Sequence, residues 1–345
     1  MEIKTARLPE AFNSLKLPDP HRNLFSSPEW LNIIYKTYGT QLFIKYTEEN
    51  GVIGDYIIYS VVHNFLEDKI CVCSYCDYFD CCVRSSETWR RFIQDIRKEY
   101  PCYRIAVRNL KDPSARACKE LHVLSREYFH EIDLTDSIDK LWREAFNGFR
   151  GAVKQAQKAG VSVRQCSKEY LRDFYRLHLR VRKNKYGIFP QPYRFFENIW
   201  DEYMPKGNGF MLGAFDKSGR FIAANIYLVC GDTLYYKFST SLLESLEYRP
   251  NNILIWEGIK IAKERRLKTF DMGSSGLEQH GLIFFKTHIV KPVKQLEIHH
   301  LGCHPADYKF SQKRILKAYT KFFTQKWMPD FVVEFGSNFI YPLLA

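Results

Sequence analysis

The sequence predicts an α/β protein in which one mixed-sheet unit occurs twice. Three observations lead there. The chain has 345 residues, more than one hydrophobic core usually serves, so two domains are expected. Strand-like and helix-like segments alternate along it, which implies a mixed sheet with helices on its faces. Consecutive elements also recur in one order at a nearly constant offset: Gly39 falls on Gly207 and Gly51 on Gly219, each pair 168 residues apart.

Each copy opens with a short helix closed by glycine, SPEWLNIIYKTYG (27–39) and FFENIWDEYMPKG (195–207). A strand, a polar turn containing glycine and a second strand follow in QLFIKYTEENGVIGDYIIYSVVHN (41–64) and GFMLGAFDKSGRFIAANIYLVCGD (209–232). A third strand comes next, KICVCSY (69–75) or TLYYKFST (233–240). Each copy ends on an amphipathic helix, SSETWRRFIQDIRKEY (85–100) or NNILIWEGIKIAKERRL (251–267), and a closing strand, CYRIAVRN (102–109) or KTFDMGSS (268–275).

Between the copies REYFHEIDL (126–134) reads as a strand. The stretch to about Leu179 reads as helix, strand (VSVRQ, 161–165) and helix, punctuated at Asn147-Gly148 and Gly160. After the second copy KPVKQLEIHHL (291–301) is a strand, and Pro305 opens a basic amphipathic helix to about Trp327 carrying Lys309, Lys313, Arg314, Lys317, Lys321 and Lys326. Such a helix packs on a domain or lies on an anionic bilayer. The expected domains are residues 1–135 and 136–345.

Composition narrows the class. A hydrophobic fraction of 46% and an aromatic fraction of 16% describe a folded chain. The N-terminus has no apolar signal core and no run of 18 apolar residues occurs, so a cytoplasmic location is expected. The ten cysteines should then be reduced. Five crowd into CVCSYCDYFDCC (Cys71, Cys73, Cys76, Cys81, Cys82), where only Cys73 and Cys76 have the two-residue C-x2-C zinc spacing, with no matching second pair. They read as small core residues of a strand. The HHxxCH run of His299, His300, Cys303 and His304 is not a recurrent ligand pattern, and no metal is expected.

The formal charge is +12, and nearly all of it lies in one segment. From Leu141 to Arg194 thirteen Lys and Arg stand against three acids, Glu144, Glu169 and Asp173. Arg172, Arg176 and Arg180 recur every four residues and form one positive stripe on a helix, suited to tRNA, another polyanion or a diphosphate; a solvated helix face is the plainer reading.

The segments RGAVKQAQKAGVSVR (150–164), HLRVRKNKYGIFPQPYRFFENIW (178–200), the run from Tyr235 to Ser275, GLIFFKTHI (281–289) and the opening LFSSPEWLNIIYKTYG (24–39) carry a resemblance. The chain resembles the FemAB-like acyltransferases of the GNAT superfamily, in particular the BioF2-like acetyltransferase branch. The resemblance implies tandem GNAT-like domains and acyl transfer to nitrogen. Better-known members move an aminoacyl group from aminoacyl-tRNA to an amine of a cell-wall precursor; related ones use acyl-CoA.

Such a reaction needs a placed ester or thioester, a deprotonated amine and donors facing the oxyanion. Backbone N–H groups of a splayed strand, Leu234 to Ser239, are the candidate donors. Coenzyme A users of this superfamily cradle its pyrophosphate with a glycine loop at the next helix start, where this chain has Arg249-Pro250-Asn251-Asn252. Asn251 and Asn252 therefore read either as donor-binding residues or as an N-cap behind Pro250. Asp271 and Gly273, in FDMGSSG, place a carboxylate beside a flexible turn, suited to taking the amine proton or to forming the turn itself. By resemblance, Lys286 in FFKTHI steadies a phosphate or the oxyanion, and Arg182 with Lys183 grips the acceptor's diphosphate. Tyr236 and Lys237 line the cleft, with the core as the other reading of Tyr236. No Ser-His-Asp or Cys-His arrangement is present, so direct transfer is expected.

The expected function is thus N-acyl or aminoacyl transfer to an amine of a cell-envelope saccharide, peptide precursor or related metabolite, on a small-molecule, lipid-linked or nucleotide-linked acceptor. No tightly bound cofactor is expected; the donor is aminoacyl-tRNA, or acyl-CoA in the alternative. A non-catalytic RNA-binding or anionic-membrane-binding protein on the same fold is the other alternative. A peripheral location at the inner face of the membrane fits either. The second copy is expected to carry the chemistry.

Overall fold

The structure, a computed structural model, describes residues 2–8, 10–13, 15, 17–18, 23–64, 67–79, 82–291, 293–303 and 313–344. Cys81, His304, Pro305 and Lys309 lie outside them, and for 313–317 the backbone alone is described. The chain forms two compact units. Residues 1–127, 297–319 and 340–345 make unit 1, and 128–296 with 320–339 make unit 2.

Unit 1 runs β1 (Glu2–Leu8), α1 (Pro28–Tyr38), β2 (Gln41–Glu49), β3 (Val52–His63), β4 (Asp68–Val72), α2 (Ser86–Glu99), β5 (Arg104–Asn109) and α3 (Pro113–Ala117). The strand β6 (His122–Asp133) leads into unit 2. There follow α4 (Ile138–Glu144), α5 (Asn147–Lys158), β7 (Ser162–Gln165), α6 (Leu171–Val181), α7 (Tyr193–Tyr203), β8 (Gly209–Phe215), β9 (Phe221–Cys230), β10 (Thr233–Ser241), α8 (Pro250–Glu264), β11 (Thr269–Gly276) and α9 (His280–Thr287). The chain returns along β12 (Val293–Cys303) and ends in α10 (Lys313–Phe323) and α11 (Asp330–Ile340).

The repeat is a repeat of topology. β2 pairs antiparallel with β3, β3 antiparallel with β4, and β4 parallel with β5. β8, β9, β10 and β11 repeat that sequence of pairings. The equivalent glycines do equivalent work: Gly39 ends α1 at φ 64° and Gly207 closes the turn after α7 at φ 71°, a left-handed conformation that side chains resist. The first helix starts as its sequence implies, with Pro28 in the first turn and the Ser27 hydroxyl accepting from Trp30 N at 3.2 Å.

In unit 2 every residue of β8 is buried, because helices cover both faces of its sheet. Phe210, Leu212, Ala214, Tyr227 and Leu234 pack with Val153 of α5 and with Ile255 and Ile259 of α8. Elsewhere Phe238 of β10 meets Phe195 and Phe196 of α7 and His178 of α6, with ring centres 5.8, 5.1 and 6.3 Å away. These aromatic stacks hold β10 between α8 and the α6–α7 pair.

Two expectations change. The cysteine-rich strand stops at Val72: Cys73 and Tyr75 both adopt φ 56°, so the chain turns there. The Cys73 thiol donates to Phe25 O at 3.2 Å and Cys76 to Cys73 O at 2.7 Å, so these two thiols hold the turn after β4 and do not extend the strand. The C-terminal helix ends at Phe323, four residues before Trp327, and a further helix, α11, follows. Pro329 stands just before that second helix, and its carbonyl accepts from Val332 N at 3.1 Å and Val333 N at 3.3 Å.

Candidate active site

The distinctive geometry of unit 2 is a parting of two parallel strands. β10 and β11 pair only through Thr233, Leu234 and Tyr235, opposite Thr269, Phe270 and Asp271. Beyond that point β10 continues to Ser241 along β9, with its register shifted between Tyr236 and Phe238. A bulge of this kind bends a strand. From Tyr236 onward the edge of β10 that faces β11 has left the ladder, and main-chain groups on that edge point into the gap.

Asp271 stands at the parting. It is buried, and its Oδ1 accepts from Gly273 N at 2.7 Å. Gly273 has φ 68°, so β11 turns there, and only glycine takes that conformation without strain. Lys286 of α9, also buried, donates to Gly273 O at 3.2 Å and to Ser274 O at 2.8 Å. Asp271 thus holds the N–H of this turn and Lys286 its carbonyls, and both residues meet at one main-chain feature.

Sequence reasoning missed a third member. His130 of β6 is buried and feels the Lys286 ammonium. Burial first, and that charge second, push its pKa down to about 4 against the opposing effect of the Gln295 side chain, so it is neutral near pH 7. A lone histidine in REYFHEIDL carries no pattern that would mark it.

The start of α8 faces the end of β10. Asn251 Nδ2 donates to Ser241 Oγ at 3.3 Å, which ties helix to strand. The N-cap is Arg249, at φ 54°, and no side chain caps the helix. An N-cap at Asn251 or Asn252 is therefore corrected: Pro250 occupies the first turn, which places both asparagines inside the helix. Four buried oxygens around the parting have no hydrogen-bond partner: Asn225 Oδ1 of β9, Thr240 Oγ1 of β10, Asn251 Oδ1 of α8 and Ser275 Oγ of β11. Buried polar atoms are rarely left so, and a bound molecule with donors would satisfy them.

Tyr236 is half-buried between Tyr227 and Phe270, with ring centres 5.9 and 6.3 Å away, and burial pushes its pKa up to about 12. Lys237, at the register shift, sets its ammonium 5.9 Å from the Phe238 ring.

The basic residues of α6 lie apart from this group in their contacts. Lys183, in a π turn (Arg182–Tyr186), is buried, donating to Met328 O and pairing with Asp330 at 2.8 Å. Arg180 reaches Asp330 at 3.4 Å, and Arg172 grips Glu334 through both amino groups at 2.7 and 3.2 Å while lying over Tyr193. Arg176 pairs with Asp173 at 3.1 Å on an exposed turn. Arg182 is half-buried, and its Nε has no partner. The stripe of three arginines exists on α6, and the acids of α11 neutralise much of it. Sequence reasoning could not see this, because it ended the last helix before those acids.

The first copy lacks the equivalents. Counted from the first paired residue, the position of Asp271 in β11 is Ala106 in β5. β4 ends at Val72 where β10 runs on past the pairing. Among the described residues no group of three or more His, Cys, Asp or Glu could hold a metal ion.

Residues 143–280 match the acetyltransferase (GNAT) domain family model. The fold is similar to that of FemX, with a TM-score of 0.65 at 14% identity over 88% of this chain and 95% of that one. It is similar to a tandem GNAT protein from the clavulanic acid biosynthesis pathway, with a TM-score of 0.55 at 10% identity over 89% and 100%. The C-terminal domain of a putative lysylphosphatidylglycerol synthetase from Agrobacterium fabrum gives 0.51 at 11% identity over 78% and 85%. No curated protein matches the sequence. Residues 143–280 thus match a GNAT acetyltransferase domain, a FemAB-type family model, within a chain whose fold is similar to that of tandem GNAT proteins.

Proposed function

We propose that unit 2 transfers an aminoacyl or acyl group to the amino group of a cell-envelope saccharide, peptide precursor or related metabolite, with aminoacyl-tRNA as donor. The observation that carries this reading is the parting of β10 from β11 beside the turn clamped by Asp271 and Lys286. The donor ester lies in the gap, and the amine attacks its carbonyl carbon. The main-chain N–H groups of β10 past Tyr235 face the oxyanion that forms. Asp271 takes the proton from the attacking nitrogen, and the tRNA ribose oxygen leaves as the tetrahedral intermediate collapses. Lys286 and Gly273 keep the Asp271 carboxylate in place, and Tyr236 and Lys237 wall the gap. Arg182 contributes to acceptor phosphate binding, while Lys183, held by Asp330, positions the turn that carries Arg182.

The name of one structural neighbour, a putative lysylphosphatidylglycerol synthetase, favours an aminoacyl group and an envelope acceptor. The exposed arginines Arg176 and Arg180 of α6 supply a surface for tRNA phosphates. A lipid-linked or nucleotide-linked acceptor brings the enzyme to the inner face of the membrane.

Acyl-CoA is the second reading, because the uncapped start of α8 presents N–H groups to an anion. The test offers purified protein labelled aminoacyl-tRNA or acyl-CoA together with amine-bearing envelope precursors. Transfer from aminoacyl-tRNA that Asp271→Asn abolishes supports the proposal. Transfer from acyl-CoA alone moves the donor assignment to the second reading, and no transfer from either refutes both.

A further inference from the structure

The C-terminal helices of unit 2 carry a feature that acyl transfer does not use. Phe331, Phe335 and Phe339 repeat every four residues along α11 and are 72%, 67% and 62% exposed. They form one stripe about 12 Å long. Trp327 and Phe322, 67% and 55% exposed, lie just before it with ring centres 5.8 Å apart. Isolated exposed aromatics are ordinary, but five within the eighteen residues from Phe322 to Phe339 expose apolar surface that water disfavours.

The opposite face of α11 is fully engaged. Asp330 pairs with Lys183 and Arg180, Glu334 pairs with Arg172, and Val333 and Ser337 are completely buried. These ion pairs therefore fix which face points outward. They also place the acids of residues 320–339 on the α6 side, and the other charges of that segment are the exposed lysines Lys321 and Lys326, next in sequence to Phe322 and Trp327.

We propose that this aromatic face is a docking surface for an anionic phospholipid bilayer, with Phe331, Phe335 and Phe339 entering the acyl boundary, Trp327 at the headgroup level and Lys321 and Lys326 against lipid phosphates. Charge decides the occupant. A second copy would bring lysines against lysines, whereas an anionic bilayer accepts both the aromatic rings and the ammonium groups. The inference does not depend on which donor or acceptor unit 2 uses.

The test is co-sedimentation of the full chain with phosphatidylcholine vesicles with and without phosphatidylglycerol, read also by tryptophan emission. Binding should require phosphatidylglycerol, weaken with salt, and shift emission to the blue in wild type but not in Trp327→Phe. The triple variant Phe331→Ser, Phe335→Ser, Phe339→Ser should bind at least ~10-fold more weakly. If that variant does not fold, Lys321→Glu with Lys326→Glu serves instead, since both side chains are exposed, and binding should again fall. Three results would overturn the proposal: wild type that ignores phosphatidylglycerol vesicles, variants that bind as well as wild type, or a concentration-dependent dimer that the triple substitution abolishes without any vesicle binding.

Discussion

Replacing His130 by leucine should make the protein markedly less sensitive to acid. The folded-state pKa of about 4 lies below the ordinary 6.5 because the ring is buried and stands near Lys286. Between those two pH values the unfolded chain binds a proton that the folded chain refuses. Stability is therefore complete above pH about 6.5 and falls as the pH drops toward 4. Each tenfold change in proton affinity is worth about 1.4 kcal/mol, so the full loss is about 3 kcal/mol, of which solvent screening leaves about 2. Urea unfolding at several pH values measures it: the wild-type midpoint should fall with pH more steeply than that of His130→Leu. His178, pushed down to about 3 mainly by burial, keeps its own contribution in both proteins and leaves a residual slope. Identical slopes would show that His130 is not held neutral, and the electrostatic account of this site would be wrong.

Other outcomes follow from the same contacts. Lys286→Met leaves the carbonyls of Gly273 and Ser274 without their donor and should cost about 2 kcal/mol of unfolding free energy, while the His130 pKa, followed by NMR, rises. Asp271→Asn keeps the volume and the bond to Gly273 N, so it should lower turnover about 100-fold or more with little change in melting temperature. Gly273→Ala must accept φ 68° and should lower stability by about 1 kcal/mol, with a loss of turnover larger than that alone explains. Asp330→Ala strands the Lys183 ammonium, which is 4% exposed, and should cost about 3 kcal/mol in chemical denaturation.

Much of the fold was legible because it rests on local signals. The helix-ending glycines, the polar hairpin turns and the apolar runs of β2, β3, β8 and β9 all lie in the sequence, and the 168-residue offset exposed the duplication. What escaped depended on distant partners. The end of β4 at Val72 is set by thiols that find carbonyls at Phe25 and Cys73. The role of Arg172, Arg180 and Lys183 is set by acids about 150 residues further along, on a helix whose mixed pattern DFVVEFGSNF did not read as amphipathic because its apolar residues face both inward and outward. Asp271 and Lys286 were singled out by motif, but their shared grip on Gly273 and Ser274 needs the fold of α9 back onto β11, and His130 enters only through that fold.

The central claim is that unit 2 transfers an acyl group to an amine at the parting of β10 and β11. The most direct measurement follows labelled acyl group from donor to amine in single-turnover reactions of wild type and Asp271→Asn at equal melting temperature. The account predicts transfer by wild type and a rate lower by about 100-fold or more in the variant. Equal rates in the two proteins, or transfer that survives disruption of unit 2 by Asp271→Asn with Lys286→Met, would contradict it.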